Sequence, residues 1–239
     1  MNKFIFLKLQ MNRSTMLLFM LLWTCIAWGQ QPWLQSHPRL LFTGAETPEV
    51  KQLIKNDPLA GELASFLKAE ADSVAGLKQL PYEMDKYGNM LYTSRGYLFR
   101  LGTLSLAYRM YGERKYLDAA NRALLWVCGY PDWNPRHYLD TAEMTAAVAI
   151  AYDWLYDELP RATKQLVKAC IYKNALHRVL AEYEKGGPGS WAKRETNWNV
   201  VCNTGMVLGA LAVAEDYPEE THAILENAAK YMPNCLKLF

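Results

Sequence analysis

From Thr47 onward the apolar residues of this chain recur at three- and four-residue spacing, and almost nowhere do they alternate as a strand requires. Thr47-Pro48-Glu49 reads as a helix start, with Thr47 as cap and Pro48 in the first turn, and Val50, Leu53 and Ile54 follow on one face. A second helix is expected after Asp57-Pro58, with Leu59, Leu63, Phe66 and Leu67 on one face, running to about Leu80 before Pro81 breaks it. Ser94 opens a third, carrying Leu98, Leu101, Leu104, Ala107 and Tyr108; Gly112 closes it, and Tyr116 to Val127 returns antiparallel. Asp140 and Glu143 fit a capping box for a long helix through Met144, Val148, Tyr152 and Leu155. Leu159-Pro160 separates that helix from one reaching about Glu184, which Gly186 to Gly189 terminates. Asn197 to Glu215 and Pro218 to about Tyr231 complete a further pair. The pattern is all-α, an array of antiparallel helix hairpins in layers.

The residue types that helices avoid collect in alternate loops, 81–93, 129–140 and 186–199. In a curved helical array these loops share one rim, where a groove would open. The last of them runs into the densest stretch of the chain, Trp191-Ala-Lys-Arg-Glu-Thr-Asn-Trp-Asn-Val-Val-Cys-Asn203. Asparagine is a poor helix-interior residue because its amide competes for backbone hydrogen bonds. Asn197, Asn199 and Asn203 therefore read either as amides held for a ligand or as one cap and satisfied core amides. Trp198 and Trp133 suit the C–H faces of sugar rings or an ordinary core. Lys193 and Arg194 suit anionic groups or a solvated loop. Glu143 reads as a hydroxyl-binding group or a capping-box member, and His137 as a loop histidine that is site residue or structural. Asp153, between Tyr152 and Trp154, needs partners if buried and reads as a hydrogen-bond hub.

The N-terminus is of another kind. Lys3, Lys8 and Arg13 precede an apolar run from Met16 to Trp28, and Ala27-Trp28-Gly29 offers a cleavage site, so residues 1–29 read as a secretory signal peptide. The apolar run is short for a bilayer span. Those 29 residues hold three Lys/Arg and no acid, leaving 23 cations against 24 acids in the mature chain 30–239. Such a balance gives no case for nucleic-acid binding, and any recognition of anions must be local. Cys128, Cys170, Cys202 and Cys235 are widely spaced without metal-ligand spacing, so neither metal nor cofactor is expected; buried thiols are the default, with one disulfide that spacing cannot assign.

Several of these stretches, in order, resemble the heparinase II/III-like polysaccharide lyases: Arg39-Leu-Leu-Phe42, Leu101 to Gly112, Asp132-Trp-Asn-Pro135, Tyr138-Leu-Asp-Thr-Ala-Glu-Met144, Ala151 to Asp157 and Asn197-Trp-Asn-Val-Val-Cys-Asn203. The resemblance covers roughly residues 38 to 235. It implies an (α/α) toroid, incomplete at its C-terminal side here, and β-elimination of uronic-acid-containing polysaccharide such as a glycosaminoglycan or alginate-type uronan. In that chemistry a base removes the C5 proton while hydrogen-bond donors neutralise the uronate carboxylate and stabilise the enediolate. The resemblance places the neutralising amide at Asn199, or else Asn197; Trp198, Glu143, Lys193, Arg194, His137, Trp133 and Asn203 are the residues read above as candidates for contacting the substrate. It also implies a catalytic tyrosine and β-sheet domains past position 239, while the signal peptide implies a periplasmic or secreted location. A toroidal glycoside hydrolase using Glu143 with Asp140 or Asp153, or a non-catalytic glycan-binding helical protein, are the alternatives.

Overall fold

The computed structural model describes residues 34–185 and 190–237, and every regular element among them is helical. The segment expected to be a signal peptide, residues 1–29, and the expected Gly186 to Gly189 helix stop lie outside the described residues. In chain order the helices are α1 (Thr47–Asn56), α2 (Pro58–Ala75), α3 (Leu91–Tyr111), α4 (Arg114–Cys128), α5 (Tyr138–Trp154), α6 (Arg161–Ile171), α7 (His177–Glu184), α8 (Asn197–Ala212) and α9 (Pro218–Leu236). A π-helical turn, Tyr172–Leu176, joins α6 to α7, and a 3₁₀ turn, Trp191–Lys193, precedes α8. The described residues from Ser36 onward form one compact unit. No described helix is long and apolar enough to cross a membrane.

Helix α5 is the middle of this unit, packing most extensively on α8 and α3. Ala142, Met144, Ala147, Val148, Ala149 and Ala151 are buried along it, and so many small side chains let both neighbours come close. The register runs parallel on both sides. A Cβ built on Gly205 of α8 would meet Ala142 of α5, and one on Gly209 would meet Thr145, so both helices advance together. On the other side Arg95 of α3 bonds Glu143, and the Arg109 guanidinium, further along α3, lies 5.3 Å from the Trp154 ring centre. Helices α3, α5 and α8 thus form one parallel row. Parallel neighbours need a return element, and α4 and the α6–α7 pair supply it, packing with α2 and α9 as a second layer. Gly112 makes the α3–α4 turn in the left-handed region, φ 68°, where a Cβ is disfavoured.

The lead-in residues are pinned to the far end of α5. Asp153, fully buried, accepts from Arg39 N (2.9 Å), Leu40 N (2.8 Å) and the His37 ring (2.5 Å), so it is the hydrogen-bond hub its context suggested. Arg39 reaches on to form a fork with Glu215 after α8, at 2.6 and 2.7 Å. Arg109 closes the segment from the α3 side, donating to Thr43 O and Thr47 Oγ1 at 2.7 Å while its guanidinium sits 3.9 Å from the Phe42 ring centre.

Several sequence expectations are corrected. Helix α2 stops at Ala75, not Leu80, and turns Ala64, Ala71 and Val74 inward while Leu59, Leu63 and Phe66 stay exposed. Its start agrees, since Asp57 caps it by accepting from Ala60 N at 2.8 Å. Helix α3 begins at Leu91 rather than Ser94. The Asp140–Glu143 capping box does not form: α5 begins at Tyr138, so both acids already lie inside it and bond to other elements.

Candidate functional site

The three loops expected on one rim are joined there, as far as they are described. Tyr82 Oη donates to Asp132 at 2.6 Å, and Asn134 Nδ2 donates to Gly88 O at 2.8 Å, tying the 81–90 loop to the 129–137 loop. His137 meets Trp198 edge to face, with ring centres 4.8 Å apart, and Tyr138 stacks on Trp191 at the same separation, tying the second loop to the third. Asn134 takes a left-handed backbone, φ 51°, that asparagine tolerates, and its amide reaches Asp140 at 2.7 Å. Asp140 is fully buried and also accepts from Met90 N at 2.7 Å, so it splices the start of α3 to the start of α5.

Around that splice stand the candidate residues. His137 Nδ1 is 3.2 Å from Asp140 Oδ2 but is not aligned to bond to it, so the ring is held by proximity and by Trp198. Glu143 is forked by Arg95, with contacts of 3.0 and 3.1 Å, and its charge also reaches Cys202 on α8. Burial first, and then Glu143, pushes the Cys202 thiol far up. Asn197 opens α8 and is exposed, Trp198 is half-buried, and Arg194 is exposed.

Other expected site residues face inward. Asn199 is fully buried: its Nδ2 donates to Ala192 O at 2.8 Å and Tyr231 O at 3.0 Å, and its Oδ1 accepts from Asn203 at 3.2 Å. Asn203 accepts from the Tyr183 hydroxyl at 2.7 Å and donates to Asn199 O at 2.8 Å. These amides are thus in use as interhelix ties. Trp133 is fully buried with its indole N–H on Val127 O, so it has no free face for a sugar. Lys193 turns to α9, its ammonium 5.5 Å from the Tyr231 ring centre.

Between the 135–138 loop, α7 and the 190–198 segment lie two abutting hollows of about 640 and 550 Å³ that share Pro135, Tyr138, Arg178, Glu182 and Lys185. Together they make a trough. Its lining carries Arg136, Lys173, Arg178, Lys185 and Arg194 against one carboxylate among the described residues, Glu182, which Lys185 holds at 2.6 Å. Trp191 and Trp198 supply its apolar surface. Two donors of lining residues, Arg178 Nε and Trp191 Nε1, are buried and meet no acceptor among the described residues.

Sequence reasoning singled out the 191–203 stretch that forms one side of the trough and said nothing of the α7 side. Lys173, Arg178 and Lys185 have the spacing of any solvated helix face. Their signal is the spacing 173, 177/178, 182, 185, one stripe of cations and a histidine with a single acid. The π turn, which sequence did not mark, sits at the head of this stripe. Among the described residues no group of three or more His, Cys, Asp or Glu could hold a metal ion. An all-helical unit with a basic, tryptophan-lined trough at the rim of a parallel helix row is the class this geometry defines. No protein-family model matches the chain, and none of the curated proteins compared with it matches.

Proposed function

We propose that this chain is part of a polysaccharide lyase that cleaves uronic-acid-containing polysaccharide by β-elimination, its helix rows being a portion of an (α/α) toroid. The carrying observation is the trough, where five Lys/Arg side chains and two tryptophans collect against a single carboxylate among the described residues. Carboxylate and sulfate oxygens satisfy such donors in charge-assisted bonds, and indole faces suit pyranose rings. Trp198, with His137 against its edge, forms the sugar platform, and Arg194 binds the anionic groups.

Removal of the C5 proton leaves charge on the uronate carboxylate, so the group beside it must be a donor and not an acid. Of the two amides expected there, Asn197 is the solvent-facing one, and it takes the neutralising role with Arg194. Glu143, already forked by Arg95, positions the rim rather than the proton. The base is the catalytic tyrosine that the resemblance implies. This reading carries export to the periplasm or medium with it.

A hydrolase needs two usable carboxylates at fixed separation, and Asp140 and Asp153 are both buried under other bonds. A non-catalytic glycan-binding protein is the second reading, favoured by the use of both Asn199 amide protons inside the fold. The test incubates the full-length protein with heparan-type and alginate-type chains, following ultraviolet absorbance of unsaturated uronate and new reducing ends together. Both rise for a lyase, and Arg194→Ala and Asn197→Ala each cut kcat/KM by about a hundredfold. Reducing ends without absorbance mean a hydrolase, and binding without either means a glycan-binding protein.

A further inference from the structure

Cys128 is the last residue of α4 and Cys170 the penultimate residue of α6, two helices that pack side by side. Contacts on either side set the two cysteines level: Thr163 Oγ1 donates to Asn121 Oδ1 at 2.8 Å before them and Lys173 Nζ to Pro131 O at 3.4 Å after them, both at the 42-residue offset that also separates Cys128 from Cys170. Each thiol is also the strongest influence on the other's ionisation. The Cys128 thiol is pushed well up by its hydrogen bond to Cys170 and by burial, while receiving that bond draws the Cys170 thiol down. A second donor favours the Cys170 thiolate: Asn174 Nδ2 lies 3.2 Å from its sulfur, and Lys173 adds positive charge. Cys128 is half-buried and Cys170 buried, so one thiol can be reached from outside and the other waits behind it. Cys202 and Cys235 lie buried in α8 and α9, outside this pair.

We propose that Cys128 and Cys170 are a disulfide-forming pair, closed by exchange with a disulfide donor and tying α4 to α6 beside the trough. Cys128, as thiolate, attacks the donor's S–S bond, forming a mixed disulfide and releasing one donor thiolate. Cys170 thiolate then attacks Cys128 Sγ, the Sγ–Sγ bond forms, and the second donor thiolate leaves. The two cysteine protons pass to the two donor thiolates, and the donor, reduced by two electrons, leaves as two thiols. The division of labour follows from exposure and from Asn174: Cys128 is the entry thiol and Cys170 the resolving one. The bond fastens the helix that continues, two residues past Cys170, into the π turn and the Lys173 side of the trough. It stands independently of what the trough binds.

Oxidised glutathione is the probe. The purified full chain is treated with it, alkylated in denaturant and mapped by non-reducing peptide mass spectrometry. The expected product links the Cys128 and Cys170 peptides, and reducing it lowers Tm by roughly 5–15 °C, as a loop of this length implies. Cys170→Ser should retain a stable glutathione adduct on Cys128, whereas Cys128→Ser should gain little adduct, because Cys170 is covered. Free alkylation of both thiols, a persistent adduct on Cys128 in the unmutated chain, or linkage to Cys202 or Cys235 would overturn the proposal.

Discussion

Gly205 and Ala142 are in backbone contact: a Cβ on Gly205 would stand 2.8 Å from the Ala142 carbonyl carbon and 2.9 Å from its Cα. Nothing at that point can rotate away. Gly205→Ala is therefore expected to force α8 off α5, at about 3 kcal/mol and a fall in Tm of roughly 6–12 °C. Gly209 differs, since its nearest obstacle is the Thr145 methyl at 2.5 Å. Thr145→Ser removes that methyl and keeps the hydroxyl that bonds Thr141 O at 2.6 Å. The double variant Gly209→Ala/Thr145→Ser should melt above Gly209→Ala alone; calorimetry on the three chains decides.

The two amides at the start of α8 should separate in mutagenesis. Asn199→Ala strips hydrogen bonds from Ala192 O and Tyr231 O in the interior, and is expected to destabilise by about 2–4 kcal/mol. Asn197→Ala, at an exposed position, should stay within about 0.5 kcal/mol of the parent in denaturant unfolding. An Asn197 variant as unstable as the Asn199 variant would contradict this division.

Asp153 fixes the lead-in segment through three bonds. Asp153→Ala leaves Arg39 N and Leu40 N without their acceptor and should cost about 3 kcal/mol. The local consequence is more telling. Amide hydrogen exchange of residues 39–43 should quicken while the α5–α8 contact, built on Gly205 and Gly209, remains protected.

Alkaline pH should unfold this protein steeply. Burial is the first cause that raises Tyr82, to about 12, helped by its bond to Asp132, and burial likewise raises Tyr130, Tyr138, Tyr152 and Tyr183. A raised tyrosine stays neutral in the fold after its unfolded counterpart ionises near pH 10, so the stability it supports is whole below pH 10. For Tyr82 that stability is lost as pH climbs from about 10 through 12. Denaturant midpoints measured across this window should fall in step with tyrosinate absorbance, and a flat profile would contradict the burial of these rings.

The punctuation of the helices was legible because it is local. Asp57 before Pro58, Gly112 at a left-handed turn and Pro218 opening α9 act through their own backbone geometry. Which face of α2 turns inward was not legible, because Ala64 and Ala71 win by size: small residues let α3 approach, and the larger Leu59, Leu63 and Phe66 are left outside. The Asp140–Glu143 spacing misled because their partners, Met90 N and Arg95, are some fifty residues away along the chain. Asn199 is the same case at the candidate site, one of its acceptors being Tyr231 O on another helix. Trp198 and Arg194 stood out in the sequence because a loop running into an apolar helix concentrates unusual residues, whereas the α7 cations look like any wet helix face until Trp191 is placed opposite them.

The parallel row has an electrical consequence. Helices α3, α5 and α8 all begin at the rim where the loops meet, so three macrodipoles present their positive ends there, each equivalent to about half a unit charge. The return helices α4 and α7 bring their negative ends to the same side in the other layer. The rim is polarised from one layer to the other before any lysine or arginine is counted. An anionic chain lying across it would meet a fixed direction in the backbone itself, one that no side-chain substitution can erase.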